Sequence, residues 1–349
     1  MRKPDKKTYL FGALFLFVVG AIGFLLLARG DSARFGQGEE TGKEQGGQST
    51  GQTSPFSGIS CRNYNRRGIA VMLSGDAITR PLSGFNSADL VVNMPVITDS
   101  ITRFMAVYVC GDPPEIGSVR SARDDFIPLV LGWDLIYAHW GGSHFALEKL
   151  ASVAVDNLDA LPDYGQAFYR KSGIPMPHNG FTSMPRLLKA AQKLNYSLIG
   201  KAISFFPHLP VQQDICQAAD CQDSKKLDLG FPGNFAVHYV YDGTKNEFRR
   251  WRGGQPETDK NDSQPVAAKV VVIMRVKSQQ IEGQYNDVGV VGTGDCAVYQ
   301  NGVEILGRWE KKSETAPLRF LDGSGQEIEF TPGQIWLEMV QTNQAVTWQ

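Results

Sequence analysis

Residues 9–28, YLFGALFLFVVGAIGFLLLA, form an unbroken run of 20 residues without a charge. As a helix rising ~1.5 Å per residue, the run spans roughly 30 Å, the thickness of a bilayer's hydrocarbon core. Arg2, Lys3, Lys6 and Lys7 precede it, and by the positive-inside rule they hold the N-terminus in the cytoplasm and send the rest across. A cleaved signal peptide is the alternative, but its apolar stretch is usually ~7–15 residues and ends at a small-residue site that is absent here. The expectation is a tail at 1–8, a retained single-pass anchor at 9–28 and an extracytoplasmic remainder. The first cysteine is Cys61, too distant to take a lipid beside the run.

Residues 29–58 are rich in Gly, Gln, Ser and Thr and poor in large apolar groups. Such a segment buries too little surface to offset its ordering entropy and reads as a flexible linker. Beyond it, alternating strand and helix patterns predict an α+β protein: an α/β layered domain over 59–207, then a mainly antiparallel β domain over 208–349. GIAVML, ADLVVNMPV and ITRFMAVYV are strand-like. SARDDFIPLVLGW has helical spacing, with Pro128 limiting the start. GGSHFALEKLASV is a loop entering a helix with Ser143 as N-cap, and TSMPRLLKAAQKL is a helix capped by Thr182 or Ser183. In the second half, FAVHYVYDGTKNEFRRW and RFLDGSGQEIEF read as hairpins. KVVVIMRVK is a buried strand, Asn301-Gly302 marks a tight hairpin, and IWLEMV closes the domain.

With 35 basic and 36 acidic residues, the net charge of -1 supplies no global field for nucleic acid. Function must come from local clusters. In IGSVRSARDDF, Arg120, Ser121 and Arg123 sit where a loop enters a helix, and Arg103 lies earlier in ITRFMAVYV. Guanidinium groups offer planar, bidentate geometry to phosphate or carboxylate, so this set is a candidate anion site. The competing reading pairs Arg120 and Arg123 with Asp124, Asp125 or Asp112 as structural bridges. In YAHWGGSHFALEKL, a strand ends at His139 and passes through Gly141, Gly142 and Ser143 into a helix, a layout that aims amide N–H groups at a ligand or simply makes a tight turn. A Pro-rich loop, AFYRKSGIPMPHNGFTS, adds Arg170, His178 and Asn179. RRWRGG, residues 249–254, reads as an exposed basic-aromatic patch.

No serine has the context of an activated nucleophile, so no catalytic residue is assigned. No cysteine spacing indicates zinc, and no metal or cofactor is expected. Outside the cytoplasm disulfides can form. Cys216 and Cys221 could close a small loop, Cys61 and Cys110 could join if their strands are neighbours, and Cys296 would remain free.

The motifs RPLSGFNSADLV, ITRFMAVYV, IGSVRSARDDFI, DLIYAHWGGSHFALEKL, AFYR, PHNGFTS and PGQIWLEMV resemble, in this order, the YerB-like family of bacterial envelope lipoproteins of unknown function. The resemblance spans roughly 60–340 and implies a two-domain build outside the cytoplasm. Members commonly carry a lipobox cysteine, where this chain has the apolar run. The order of anchor, Asp89 strand, arginine-rich turn and HWGG is also similar to LytR-CpsA-Psr proteins, which act on polyprenyl-pyrophosphate-linked polymers. That likeness implies a phosphotransferase-type enzyme in which Asp89 and Asp124 hold magnesium. The leading expectation is capture of an anionic cell-wall or lipid-linked ligand. A scaffold that meets an envelope protein partner is a further alternative.

Overall fold

Short runs of β-branched and apolar residues recur along the chain, and their period of two sorts side chains onto opposite faces of one long sheet. In the strand Ile69–Ser74, Ile69, Val71 and Leu73 enter one core, while Ala70 and Met72 enter the other. The computed structural model describes residues 52–97, 101–201, 203–210, 225–283 and 285–349. The tail, the anchor and nearly all of the linker expected over 1–51 lie outside the described residues, as do Cys216 and Cys221. Among the described residues no helix is long and apolar enough to cross a membrane.

The long sheet has ten strands. From one edge they are Arg319–Asp322, Val303–Lys311, Gly292–Gln300, Val270–Val276, Ile335–Gln341, Leu90–Pro95, Thr102–Tyr108, Ile69–Ser74, Ile136–His139 and Asn157–Asp159. The strand Ile335–Gln341, expected to close a separate second domain, instead lies in the middle of this sheet. It runs parallel to Val270–Val276 on one side and to Leu90–Pro95 on the other. The reason is its composition: every residue from Ile335 to Gln341 is buried, which requires neighbours on both edges and both faces. The two sequence halves therefore share one sheet within a single compact unit; the second half is mainly antiparallel, with the pairing of Val270–Val276 to Ile335–Gln341 as its parallel exception. The described chain is largely β, with three α-helices.

A second sheet, in the order Gln255–Pro256, Glu247–Arg252, Val237–Asp242, Lys226–Asp228 and Thr347–Trp348, packs on one face through Tyr239, Tyr241 and Phe248. Helix α3, Met184–Lys193, covers more of that face with Met184, Leu187, Ala190 and Ala191. Helices α1, Ile127–Gly132, and α2, His144–Ser152, lie on the opposite face. Pro128 stands in the first turn of α1, where its missing N–H costs nothing. Ser143 caps α2 as expected, its Oγ accepting from Ala146 N at 3.1 Å. Ser183 occupies the N-cap of α3 without a side-chain bond, and Thr182 Oγ1 donates to Ala167 O instead. Asn301 and Gly302 both have positive φ, +53° and +70°, as the two-residue hairpin turn requires.

The interface between the sheets holds charge. Glu338, at 0% exposure, accepts from Tyr239 Oη (2.5 Å), Arg250 Nη2 (3.1 Å) and Asn93 Nδ2 (2.7 Å). Arg250 also pairs with Glu257 and lies 4.3 Å over the Trp336 ring. Burial works against the charge on Arg250, but Glu257, Tyr239 and Glu338 more than offset it and raise its pKa. RRWRGG is thus no surface patch in the way its composition indicated. Alternation along Glu247–Arg252 turns Phe248, Arg250 and Arg252 inward and leaves Arg249 and Trp251 half-buried on the other side.

Cys61 and Cys110 are joined, with their Cα atoms 5.8 Å apart, and Cys296 is free and buried. Beside this bridge, Asp89 accepts from Ser57 Oγ (2.7 Å), Val109 N (2.7 Å) and Cys110 N (3.0 Å), tying the entering segment to the sheet.

The bridge closes a loop of sequence separation 49. Loop-closure entropy puts the loss on replacing both cysteines with serine at about 4 kcal/mol, read as a lower urea midpoint. Glu338→Ala leaves Arg250 with one fewer counter-charge in a dry interface and is expected to cost about 3–5 kcal/mol in the same measurement.

Candidate functional site

The arginines of the first half converge only in part. Arg120 follows a segment bridged to the strand Ile69–Ser74, and its backbone N donates to Met72 O at 2.9 Å. Its side chain is well occupied. Nη2 meets Asp76 Oδ2 at 2.5 Å and His178 Nδ1 at 3.0 Å, Nη1 donates to Pro177 O at 3.1 Å, and Nε reaches Ser74 Oγ at 3.4 Å. The bridging partner is therefore Asp76, not Asp112, Asp124 or Asp125; Asp112 pairs with Arg66. Burial works to raise the Asp76 carboxyl, but the hydrogen bonds from Arg120 and Ser74 outweigh it and hold the pKa below the usual range.

Arg103 donates to Ser121 O at 3.1 Å, and its Nε is buried without a partner. Burial, followed by the positive charge of Arg123 and Arg120, pulls its pKa down to about 9. Arg123 donates to Ala122 O at 3.0 Å and lies 5.4 Å over the Tyr285 ring, again with Nε unpartnered. It forms no ion pair with Asp124 or Asp125 among the described residues. Asp125 is buried, and its carboxyl is pushed up to about 8 by burial, then by the neighbouring charges of Asp124 and Asp287, against a hydrogen bond from Val288 N. A proton on Asp125 at neutral pH leaves the arginine cluster without that counter-charge.

Arg170 is exposed. Its Nη1 donates to Asn179 Oδ1 at 2.6 Å, and its guanidinium lies 4.3 Å over the Trp140 ring. One N–H is used, so four are free of protein acceptors among the described residues. Arg120, Ser121, Trp140, Arg170, Val119 and Pro177 line a single open cleft of about 110 Å³. Arg103, Arg123, His139, Gly141, Gly142, Ser143, His178 and Asn179 do not line it. Asn179 is buried and positions Arg170, while His178 buttresses Arg120 with its own pKa lowered by burial and by the Arg120 charge.

In the glycine turn, the N–H groups of Gly141 and Ser143 already have protein acceptors. Gly141 N donates to Asp159 Oδ1 (2.8 Å), and Ser143 N donates to Ala122 O (3.2 Å). Gly141 takes φ +60°, which accounts for the glycine. His139 is 0% exposed, with Nδ1 on Gly141 O, and burial lowers its pKa. Asp89 and Asp124, named together for a cation in the enzyme alternative, have different partners. Asp89 is occupied by three hydrogen bonds, while Asp124 sits near Lys149 and Asp287. No group of three metal-binding side chains occurs among the described residues.

Sequence reasoning missed Asp76, Trp140 and Tyr285. Trp140 stood in a quoted motif, and an aromatic beside a glycine turn is a readable signal. Tyr285 lies far along the chain, and nothing local links it to Arg123.

Two family profiles cover most of the described chain. "Protein of unknown function (DUF3048) N-terminal domain" matches residues 56–197, and the C-terminal domain of the same description matches 227–337. The chain belongs to the YerB-like family. It is 28% identical over 294 residues to "Putative lipoprotein YerB" of Bacillus subtilis (strain 168), covering 82% of this chain and 86% of that protein. The crystal structure of the Bacillus subtilis YerB protein superposes with a TM-score of 0.73 at 27% identity, covering 84% of this chain and 99% of that one. The YerB-like profiles leave an interval at 198–226 that contains the boundary expected at 207–208. The match bears out the resemblance carried by the motifs from RPLSGFNSADLV to PGQIWLEMV.

Asp125 supplies a pH test. Its folded-state pKa lies above the unfolded value, so the folded form keeps a proton that the unfolded form has released. Its contribution to stability falls as pH rises from about 4 to about 8, with a slope of up to ~1.4 kcal/mol per pH unit. Asp125→Asn keeps an oxygen for the Val288 N–H and removes this slope. Urea midpoints at pH 5, 6.5 and 8 are expected to converge on the acid side and to favour the variant at pH 8.

Proposed function

We propose that this YerB-like protein is held at the membrane, faces the outside of the cell and binds a phosphate-bearing cell-wall or lipid-linked anion in the Arg120–Arg170 cleft. The observation that carries this reading is Arg170: exposed, seated over the Trp140 ring, bonded to Asn179 and, among the described residues, left with four N–H groups without a protein acceptor beside a second guanidinium. A stacked, pre-ordered arginine loses little entropy on meeting an anion and offers a bidentate fork to two oxygens. Arg103 and Arg123 add positive charge nearby; Asp76 is the carboxylate that acts on Arg103 and Arg120. Ser121 adds a hydroxyl to the lining. The apolar run at 9–28 and the likeness to a protein described as a lipoprotein both support a membrane tether.

Arg120 and Arg123 are poor test positions, because Arg120 holds Asp76 and Arg123 is packed against Tyr285. Arg170→Ala is the clean variant. The full-length chain titrated with inorganic pyrophosphate is expected to bind one equivalent, and Arg170→Ala to bind about ten- to a hundredfold more weakly with an unchanged melting temperature. Undiminished binding by the variant, or none by the parent chain, overturns the reading. Turnover of a prenyl pyrophosphate on adding magnesium would replace capture by catalysis.

A further inference from the structure

A second cavity, of about 230 Å³, opens where the buried ion network meets the edge of the smaller sheet. Arg80, Pro81, Arg252, Pro256 and Glu257 are among its lining residues. Arg252 is 2% exposed. Its Nη2 donates to Gly75 O (2.8 Å) and Thr102 Oγ1 (2.9 Å), while Nε and Nη1 are buried with no hydrogen-bond partner among the described residues. Glu257 is 5% exposed and mirrors this condition with opposite charge: Oε2 meets Arg250, and Oε1 is unpartnered. Arg252 Nη1 and Glu257 Oε1 stand 4.0 Å apart, too far for a hydrogen bond. Arg80 donates to Asn234 O (2.5 Å) and toward Arg252 O (3.4 Å), and its Nε is also buried without a partner.

Each unmet polar group in a dry site is costly, and native structures leave few of them. Three such groups around one cavity, two cationic and one anionic, describe an incomplete set of contacts. The charges are also unequal. Arg80, Arg250 and Arg252 face Glu257 and Glu338, and Asp76, which also acts on Arg80, is already paired with Arg120, so one positive charge stays uncancelled. Burial, together with the like charges of Arg250 and Arg80, pulls the Arg252 pKa down to about 9. An occupant that completes this site carries one negative charge for the arginines and, close to it, one donor for Glu257 Oε1. A cation would add to the excess charge. A bare anion would leave Glu257 unmet.

We propose that this cavity binds the carboxylate end of a short peptide. The terminal carboxylate meets Arg80 and Arg252, and the adjacent amide N–H donates to Glu257 Oε1. The volume is smaller than the ~300–1,000 Å³ of typical small-molecule sites, which limits the occupant to small residues. The site is separate from the Arg170 cleft and stands or falls independently of it.

Three probes isolate the two contacts in calorimetric titrations of the full-length chain. N-acetylglycine has both groups, N-acetylsarcosine lacks the N–H, and N-acetylglycinamide lacks the charge. N-acetylglycine is expected to bind one equivalent, N-acetylsarcosine at least ~tenfold more weakly, and N-acetylglycinamide not measurably. Arg80→Met is expected to lose N-acetylglycine binding and to keep pyrophosphate binding at the other cleft. Equal binding of the first two probes, or undiminished binding by Arg80→Met, overturns the proposal. So does absence of N-acetylglycine binding, with water alone bridging Arg252 and Glu257 in a crystal soaked with the probe.

Discussion

A carboxylate in the dry centre of a sheet sets the terms for the rest of this protein. Glu338 sits mid-strand in Ile335–Gln341, between two parallel neighbours, with no exposed surface. Left alone it would be very costly, so its face of the sheet must bring it donors. Arg250 and Tyr239 arrive from the second sheet and Asn93 from the next strand. The second sheet is thereby positioned by a directional contact as well as by apolar packing, and the aromatic rings of Trp336 and Phe104 flank Arg250. Ion networks of this kind add less net stability than apolar packing of equal volume, but they penalise any other register.

Charge also gathers at the end of the first-half strands, on both faces. Thr102 receives Arg252, and its neighbour Arg103 turns toward Ser121 and the arginine turn. Two cavities result, one with Arg120 and Arg170, the other with Arg80, Arg252 and Glu257. In the second, main-chain carbonyls of Asn234 and Gly75 hold Arg80 and Arg252, and in the first Arg170 is held by the Asn179 amide oxygen while Arg120 is paired with Asp76. Carbonyls fix orientation without cancelling charge. That keeps a positive potential available to an incoming anion.

Local structure was legible wherever chemistry is local. Ser143 as an N-cap, Pro128 in a first turn and Asn301-Gly302 in a tight hairpin follow from φ preferences and hydrogen-bonding groups within a few residues. Part of the candidate cleft was readable too, since Arg120, Ser121 and Arg170 were singled out by their setting. Asp76 was not, because its role arises from a contact 44 residues away in sequence with Arg120. RRWRGG misled for a related reason. Its charge outweighed its period of two in the reading, and only a buried partner such as Glu338 makes an inward Arg250 tolerable.

By itself, the sequence determined which segments are strands, where turns and caps fall, and which family the motifs belong to. These depend on composition, short-range sterics and the period of side-chain alternation. Tertiary structure alone decided that both halves share one sheet, that Asp76 rather than Asp124 or Asp125 answers Arg120, and which arginines face open space. Strand pairing and ion pairing join residues far apart in the chain, and their energies depend on burial. No window of sequence contains the partner.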